Sequence, residues 1–287
     1  MLRAEVAADL EWGNTGLVLG LKRDVPAHQY DHRRQVNLNM KPNSLAIGGV
    51  TLLCVAFLVL IGGMNGLLEA VEDSAQSRQR AAKELLGMPL LYFDDFEKDP
   101  ADRWEQSDSR AWKVLKQADN AVYSQFQHIE TKTPVRSPFN RALVKGLVVG
   151  DFVLDVKLQS TAEDYPHRSL CLFFGYQDPA HLYYVHFGKK ADEHANQIFI
   201  VNNEPRKKIS IESTPGTNWD DKWHHARIVR RVDEGTIEVF FDNMENPVMR
   251  AKDKSFAWGQ VGIGSFDDKG NFDDVAIYGR LVERPKE

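Results

Sequence analysis

The longest run of one character in the chain is apolar. Residues 45–68 (LAIGGVTLLCVAFLVLIGGMNGLL) carry no charge. As a helix they reach about 36 Å, enough to cross a hydrocarbon core of roughly 30 Å with some tilt. A soluble helix of that length would keep a polar stripe for water, and this one has none. The pattern predicts a single transmembrane anchor over 45–68. The alternative is a signal peptide that begins at Met40-Lys41 and is cleaved to release a secreted domain, which leaves the start codon open between Met1 and Met40. No small-x-small cleavage site follows Gly63, so the uncleaved anchor is preferred. Arg33, Arg34 and Lys41 precede the run, while Glu69, Glu72 and Asp73 follow it directly. That asymmetry puts the N-terminus inside and the C-terminal part outside the cytoplasm.

The pattern changes twice on either side of the run. Residues 1–44 mix charges, Gly and His without a lasting period, and are expected to be a disordered tail. Residues 69–90 are rich in Ala, Gln, Arg and Glu, which predicts a juxtamembrane helical linker ended by Gly87 and Pro89. From residue 91 the period becomes two. Phe152, Leu154, Val156 and Leu158 alternate with Val153, Asp155 and Lys157, and Ile237, Val239 and Phe241 alternate with Glu238, Phe240 and Asp242. Further strands are predicted at 169–175, 182–188, 197–202, 225–232, 260–264 and 272–278. Turns at Gln177-Asp178-Pro179, Asp233-Glu234-Gly235 and Asp268-Lys269-Gly270 separate them. Many short strands without intervening helices predict an all-β sandwich over 91–280, with a short tail at 281–287.

Composition narrows the function classes. With 43% hydrophobic and 27% charged residues the chain is not disordered as a whole. A net charge of −5 gives no reason to expect nucleic acid as a partner. Two cysteines make no disulfide framework. Cys54 lies in the apolar run, and Cys171, in LCLFFGY, is expected to be a small buried hydrophobe.

Several segments bear on ancestry. Trp223-His224-His225-Ala226-Arg227-Ile228 leads a strand. A hairpin and the strand Thr236-Ile237-Glu238-Val239-Phe240-Phe241 follow, ending in Asp242. Asp94-Asp95-Phe96 opens the region; Gly262-Ile263-Gly264-Ser265 and Phe272-Asp273-Asp274-Val275 close it. Together with Phe152-Val153-Leu154-Asp155-Val156, these segments resemble the concanavalin A-like lectin/glucanase superfamily, in particular laminin G-like and 3-keto-disaccharide hydrolase-like domains. The resemblance implies a jelly-roll β-sandwich. It leaves the function open, because lectins, glycan-binding modules, glucanases, lyases and adhesive domains share that fold.

The candidate chemistry is sparse. Glucanases of this superfamily carry Glu-x-Asp-x-x-Glu on one strand, placing two carboxylates about 5–5.5 Å apart; no such motif is present. A lyase would use Tyr and His with an Arg or Gln to neutralise a uronate. Tyr184 and His186 share a strand face, Arg168 precedes the adjacent strand and Gln197 lies on the next. These four are the predicted ligand-binding residues, with Tyr184 and His186 expected in an open concave face. Asp94, Asp95, Asp273 and Asp274 sit at the two ends of the sandwich and are candidate Ca2+ ligands if those ends are neighbours. Tryptophans 104, 112, 219, 223 and 258 are expected in core or rim packing. The resulting expectation is a membrane-anchored, extracytoplasmic glycan-binding domain without catalysis. A glycan-degrading hydrolase or lyase and a structural adhesion module are the alternatives.

Overall fold

The computed structural model describes residues 8–13, 16–21 and 81–285. The chain divides into two units, 1–77 and 78–287. In the first, β1 (Ala8–Gly13) pairs antiparallel with β2 (Gly16–Leu21), a hairpin within the stretch expected to be an unstructured tail. The apolar run 45–68 lies outside the described residues. No helix long and apolar enough to cross a membrane occurs among the described residues.

The second unit is all-β and built from two antiparallel sheets. The seven-stranded sheet runs β13 (Lys207–Lys208), β12 (Gln197–Asn202), β11 (His181–Gly188), β10 (Ser169–Asp178), β18 (Gln260–Ser265), β8 (Asn140–Val144) and β5 (Trp104–Gln106). The ten-stranded sheet runs β14 (Ser210–Ser213), β17 (Met249–Lys252), β16 (Thr236–Phe241), β15 (His224–Arg231), β9 (Val149–Ser160), β19 (Gly270–Leu281), β4 (Met88–Asp94) and β3 (Glu84–Leu85). The hairpin of β6 (Trp112–Gln117) and β7 (Asn120–Gln125) joins it through β19. Glu84–Leu85, inside the expected helical linker, is a strand instead, and it pairs with Met88–Asp94 across a turn in which Leu86 and Gly87 have positive φ. Extended pairing with the sheet outweighs the local helical preference of Ala82-Lys83-Glu84-Leu85.

Alternation sets the core. Phe152, Leu154, Val156 and Leu158 of β9 are buried between the sheets with Ile228, Val239, Leu172, Phe174 and Val185. Each large apolar side chain buried there contributes about 2–3 kcal/mol, and Leu154→Ala would cost about 3 kcal/mol through the cavity it leaves. Asp155 and Lys157 point from the other face. The two ends of the domain are neighbours, since β19 pairs with β4 and Val275 lies opposite Asp94.

The Trp-His-His segment has a structural task. His224 is buried, its Nδ1 2.8 Å from Asp242 Oδ2 and its Nε2 3.2 Å from Asp220 Oδ1. The ring stacks on Phe241 at 4.8 Å and meets the edge of Trp219 at 5.2 Å. Asp242, at φ 59, also accepts the amide of His225. This clasp ties the open end of the β15–β16 hairpin.

Candidate functional site

On β11 the pleat sends Tyr183, Val185 and Phe187 into the core between the sheets. Tyr184 and His186 therefore lie on the outer face of the seven-stranded sheet. Register puts Phe199 opposite Tyr184 and Gln197 opposite His186. That face is not an open groove. Leu143, Cys171, Phe173, Tyr176, Leu182, Tyr184, Phe199 and Val201 form a second apolar layer, with Val135 and Phe266 packed on it. Tyr184 has no exposed surface and His186 is 6% exposed. The expectation that both rings meet solvent is thus corrected. The chain between β7 and β8 lays Val135 over them, and Phe266 follows β18 onto the same face.

The burial fixes their chemistry. His186 Nδ1 is 2.8 Å from the His194 carbonyl, so Nδ1 carries the proton, and Nε2 is 2.9 Å from Ser169 Oγ. Burial, helped by the nearby Arg206, lowers the His186 pKa to about 4. Burial also raises the Tyr184 phenol far above its usual value. The Ser169–His186 contact is sealed from solvent, and the carboxylate at hand, Asp268, approaches the serine rather than the imidazole. A catalytic triad needs the carboxylate on the imidazole.

Gln197 is buried and donates to the Asp192 carbonyl at 3.0 Å. Arg168 does not join Tyr184 and His186. Ser169 shares their face, so Arg168, one residue earlier, points the other way. Its guanidinium binds Ser160 Oγ and carbonyl at 3.1 and 2.8 Å and Asp221 at 2.9 Å. It braces one sheet to the other.

What reaches the surface over this layer is basic and aromatic. The Arg206 guanidinium lies 4.5 Å from the Phe266 ring centre and 5.0 Å from that of Phe199, and donates to Tyr184 Oη at 3.0 Å. Arg136 lies over the Phe266 ring at 5.7 Å. Arg141 lies 5.0 Å over Tyr176 and donates to its hydroxyl at 3.1 Å. Beside them, residues 130–137 with Phe139 and Phe266 line a groove of about 500 Å³. Sequence reasoning passed over this site because Arg136, Phe139 and Phe266 lie outside the predicted strands and far apart in the chain.

The four aspartates do not fit a calcium ion, although the domain ends adjoin. Both oxygens of Asp94 are taken by donors: Arg103 at 2.8 and 2.9 Å, Trp104 Nε1 and Tyr92 Oη at 2.8 Å, and the Phe96 amide at 3.0 Å. Burial works to raise its pKa, but these donors outweigh it and hold Asp94 below the usual range. Asp95 caps the Glu97 amide. Asp273 accepts from Asn120 and from the Asp274 amide, and Asp274 pairs with Lys157 at 2.7 Å. Burial pushes Asp273 up to about 6, with the Asp274 charge adding to it. No group of three or more metal-ligating side chains occurs among the described residues.

The outer face of the ten-stranded sheet holds a different cluster. Asp155 binds His225 Nε2 and, at 2.7 Å, the Arg227 guanidinium. Asp155, His225 and Arg227 line a groove of about 360 Å³ with Lys157, Asp274 and Tyr278.

No family model matches the chain, and no curated protein matches it. Among solved structures it is similar to the carbohydrate-binding module CBM66 from Bacillus subtilis, at 15% identity over 61% of this chain and 95% of that one, with a TM-score of 0.44. It is also similar to a Bacillus subtilis protein of unknown function with a galectin-like fold, at 11% identity over 68% and 97%, TM-score 0.43. A third is winged bean acidic lectin complexed with methyl-α-D-galactose, at 12% identity over 67% and 98%, TM-score 0.42.

Proposed function

We propose that this protein is a carbohydrate-binding module of concanavalin A-like architecture, held outside the cytoplasm by a membrane anchor at 45–68, and that it binds glycan without turning it over. The observation that carries the binding reading is the groove formed by residues 130–137, Phe139 and Phe266 over the seven-stranded sheet. A sugar presents a flat apolar face and a ring of hydroxyls. The groove offers half-buried aromatic rings for the first, and the Thr131 and Thr133 hydroxyls and backbone for the second. Its volume suits a short saccharide. Binding without turnover is supported by the sealed state of Tyr184, His186 and Ser169, none of which offers a proton acceptor to a bound sugar.

The test is a glycan array probed with the full chain in a non-ionic detergent. Hits that weaken on Phe139→Ala support the reading; no hits would sink it. The anchor is tested separately: the chain should resist alkaline extraction from membranes, and protease added outside should reach the sandwich.

One observation favours a second reading, glycan cleavage. His225 is 40% exposed, set against Asp155, in a groove shared with Arg227 and Tyr278. An imidazole oriented by a carboxylate beside a guanidinium and a phenol is the set a uronate lyase would use. Unsaturated products that vanish on His225→Ala would put this reading first.

A further inference from the structure

We infer that the ligand of the groove over the seven-stranded sheet is an anionic glycan, whose carboxylate or sulfate is bound by Arg206 and Arg136. The inference rests on the binding reading above and names the ligand class.

The fold leaves three positive charges on this face unanswered. Among the described residues, Arg136, Arg141 and Arg206 form no ion pair. All three nevertheless stand on one face, each over an aromatic ring. Arg206 is the best defined. Phe199 and Phe266 both approach its guanidinium, and one N–H is spent on Tyr184 Oη. Its remaining donors have no protein acceptor among the described residues. Stacking holds the guanidinium plane while leaving its edge free, and the edge is what recognises a carboxylate or sulfate with paired hydrogen bonds.

Arg136 stands next to it, since the Arg206 amide donates to the Arg136 carbonyl at 3.1 Å and both guanidiniums lie over Phe266. Two like charges are thereby held at one ring, and neither has an ion-pair partner among the described residues. Lys132 lines the same groove and adds a third positive charge; Glu130 is the acid in the lining, and Asp267 follows Phe266 on the exposed side. Neither acid pairs with a guanidinium here. Gathering cations this way costs stability, and an anion in the groove would offset that repulsion. Phe139, half-buried in the lining of the same groove and with no cation over it among the described residues, leaves an apolar ring for the sugar beside the guanidiniums, so one site answers both halves of an acidic saccharide. A bare phosphate would use only the cations.

The experiment compares acidic and neutral glycans on one array, using the full chain in detergent, then titrates the hits. The expected result is binding to uronate-bearing or sulfated oligosaccharides, weakened by added salt. Arg136→Gln, an exposed position, should lower affinity about tenfold, the loss of one charge-assisted bond. Arg206→Gln should lower it at least as much, and Arg206→Lys should not restore it, because lysine offers no planar fork. Thermal melts of each variant separate lost binding from lost folding. Hits confined to neutral glycans, or acidic hits unaffected by Arg136→Gln, would overturn the inference and leave the binding reading standing. No hits of either class would overturn both. Inorganic phosphate or sulfate competing as well as the oligosaccharide would show a plain anion site and would also overturn it.

Discussion

The two outer faces of the sandwich treat their cations differently. On the ten-stranded sheet most cations lining the grooves around β9 and β15 have a carboxylate: Arg227 and His225 share Asp155, Lys157 has Asp274, and Arg250 bridges Glu238 and Glu212, while Arg231 bonds the Leu86 carbonyl instead. On the seven-stranded sheet Arg136, Arg141 and Arg206 are given aromatic rings instead. A cation paired within the protein serves the fold. A surface cation stacked on a ring without a carboxylate, such as Arg136, keeps its donors for something else. Charge count alone therefore does not locate a binding face; the identity of each charge's partner does.

Removing a carboxylate from the paired face tests this contrast most severely. Asp155 is largely buried, and its pKa, which burial works to raise, is held low by His225 and Arg227. Asp155→Asn would leave Arg227 desolvated without its counter-ion, with its Nε already lacking an acceptor. The expected loss is about 3 kcal/mol in denaturant unfolding. Replacing both partners with apolar residues of similar size should recover most of it. A loss below about 1 kcal/mol would mean that the pair is solvent-screened and the two faces are alike.

A second contrast is visible in acid. His186, under the seven-stranded face, has its pKa lowered from 6.5 to about 4 by burial. As pH falls through that window the unfolded chain takes up a proton that the folded chain refuses, so stability falls. Asp273, on the other sheet, is raised from 3.8 to about 6 by burial. Between those values the folded chain holds the extra proton, so stability rises as pH falls. Each window spans roughly 3 kcal/mol, and the two nearly cancel between pH 6 and 4. Asp268, raised in the same direction as Asp273, tips the balance slightly toward acid tolerance. His186→Gln should therefore grow more stable from pH 6 to 4, and Asp273→Asn less stable. Chemical unfolding at a series of pH values checks both; parallel curves for the two variants would refute the opposition.

Much of this fold is legible in the sequence, and what is not has a physical cause. The alternation through Phe152–Leu158 gives β9 its face, and the aspartate pairs at both ends mark neighbouring strands. Alternation says which side a residue faces, not what covers that side. Tyr184 and His186 sit on the side expected of them, yet Val135 and Phe266 close over them from segments far along the chain. Arg168 was grouped with them by proximity, and parity turns it to the opposite sheet. The aspartates at the domain ends were rightly neighbours, but Arg103 and Trp104, nine and ten residues beyond Asp94, fill the coordination that an ion would need. β5 and β6 are not legible in the sequence because Trp104–Gln106 is too short and Trp112–Gln117 too exposed to alternate cleanly.

Phe266→Ala sharpens the account of the aromatic face. The ring is half-buried, touches Phe139 and His186, and supports both Arg136 and Arg206. Truncation should cost about 2 kcal/mol, less than a core phenylalanine because part of the ring already meets water. It should also open the layer over His186, so the imidazole pKa climbs from about 4 toward its ordinary value. Histidine resonances followed by NMR across pH 3–8 would record the shift; an unmoved His186 would mean that Phe266 is not what seals it.

The smallest expected effect decides the comparison. Arg136 is exposed, pairs with no carboxylate among the described residues, and its guanidinium stands over a single ring. If its charge serves a ligand, Arg136→Gln should change unfolding free energy by less than about 0.5 kcal/mol. Relief of its repulsion with Arg206 would push that small change toward greater stability. Arg227→Gln, on the other face, should cost several times more, because it leaves the Asp155 carboxylate buried with half its donors gone. The pair of variants thus separates a cation that the fold requires from one that the fold merely holds. Equal losses would show that stacking on Phe266 anchors Arg136 as firmly as a salt bridge anchors Arg227, and the reason for assigning it to a ligand would be gone.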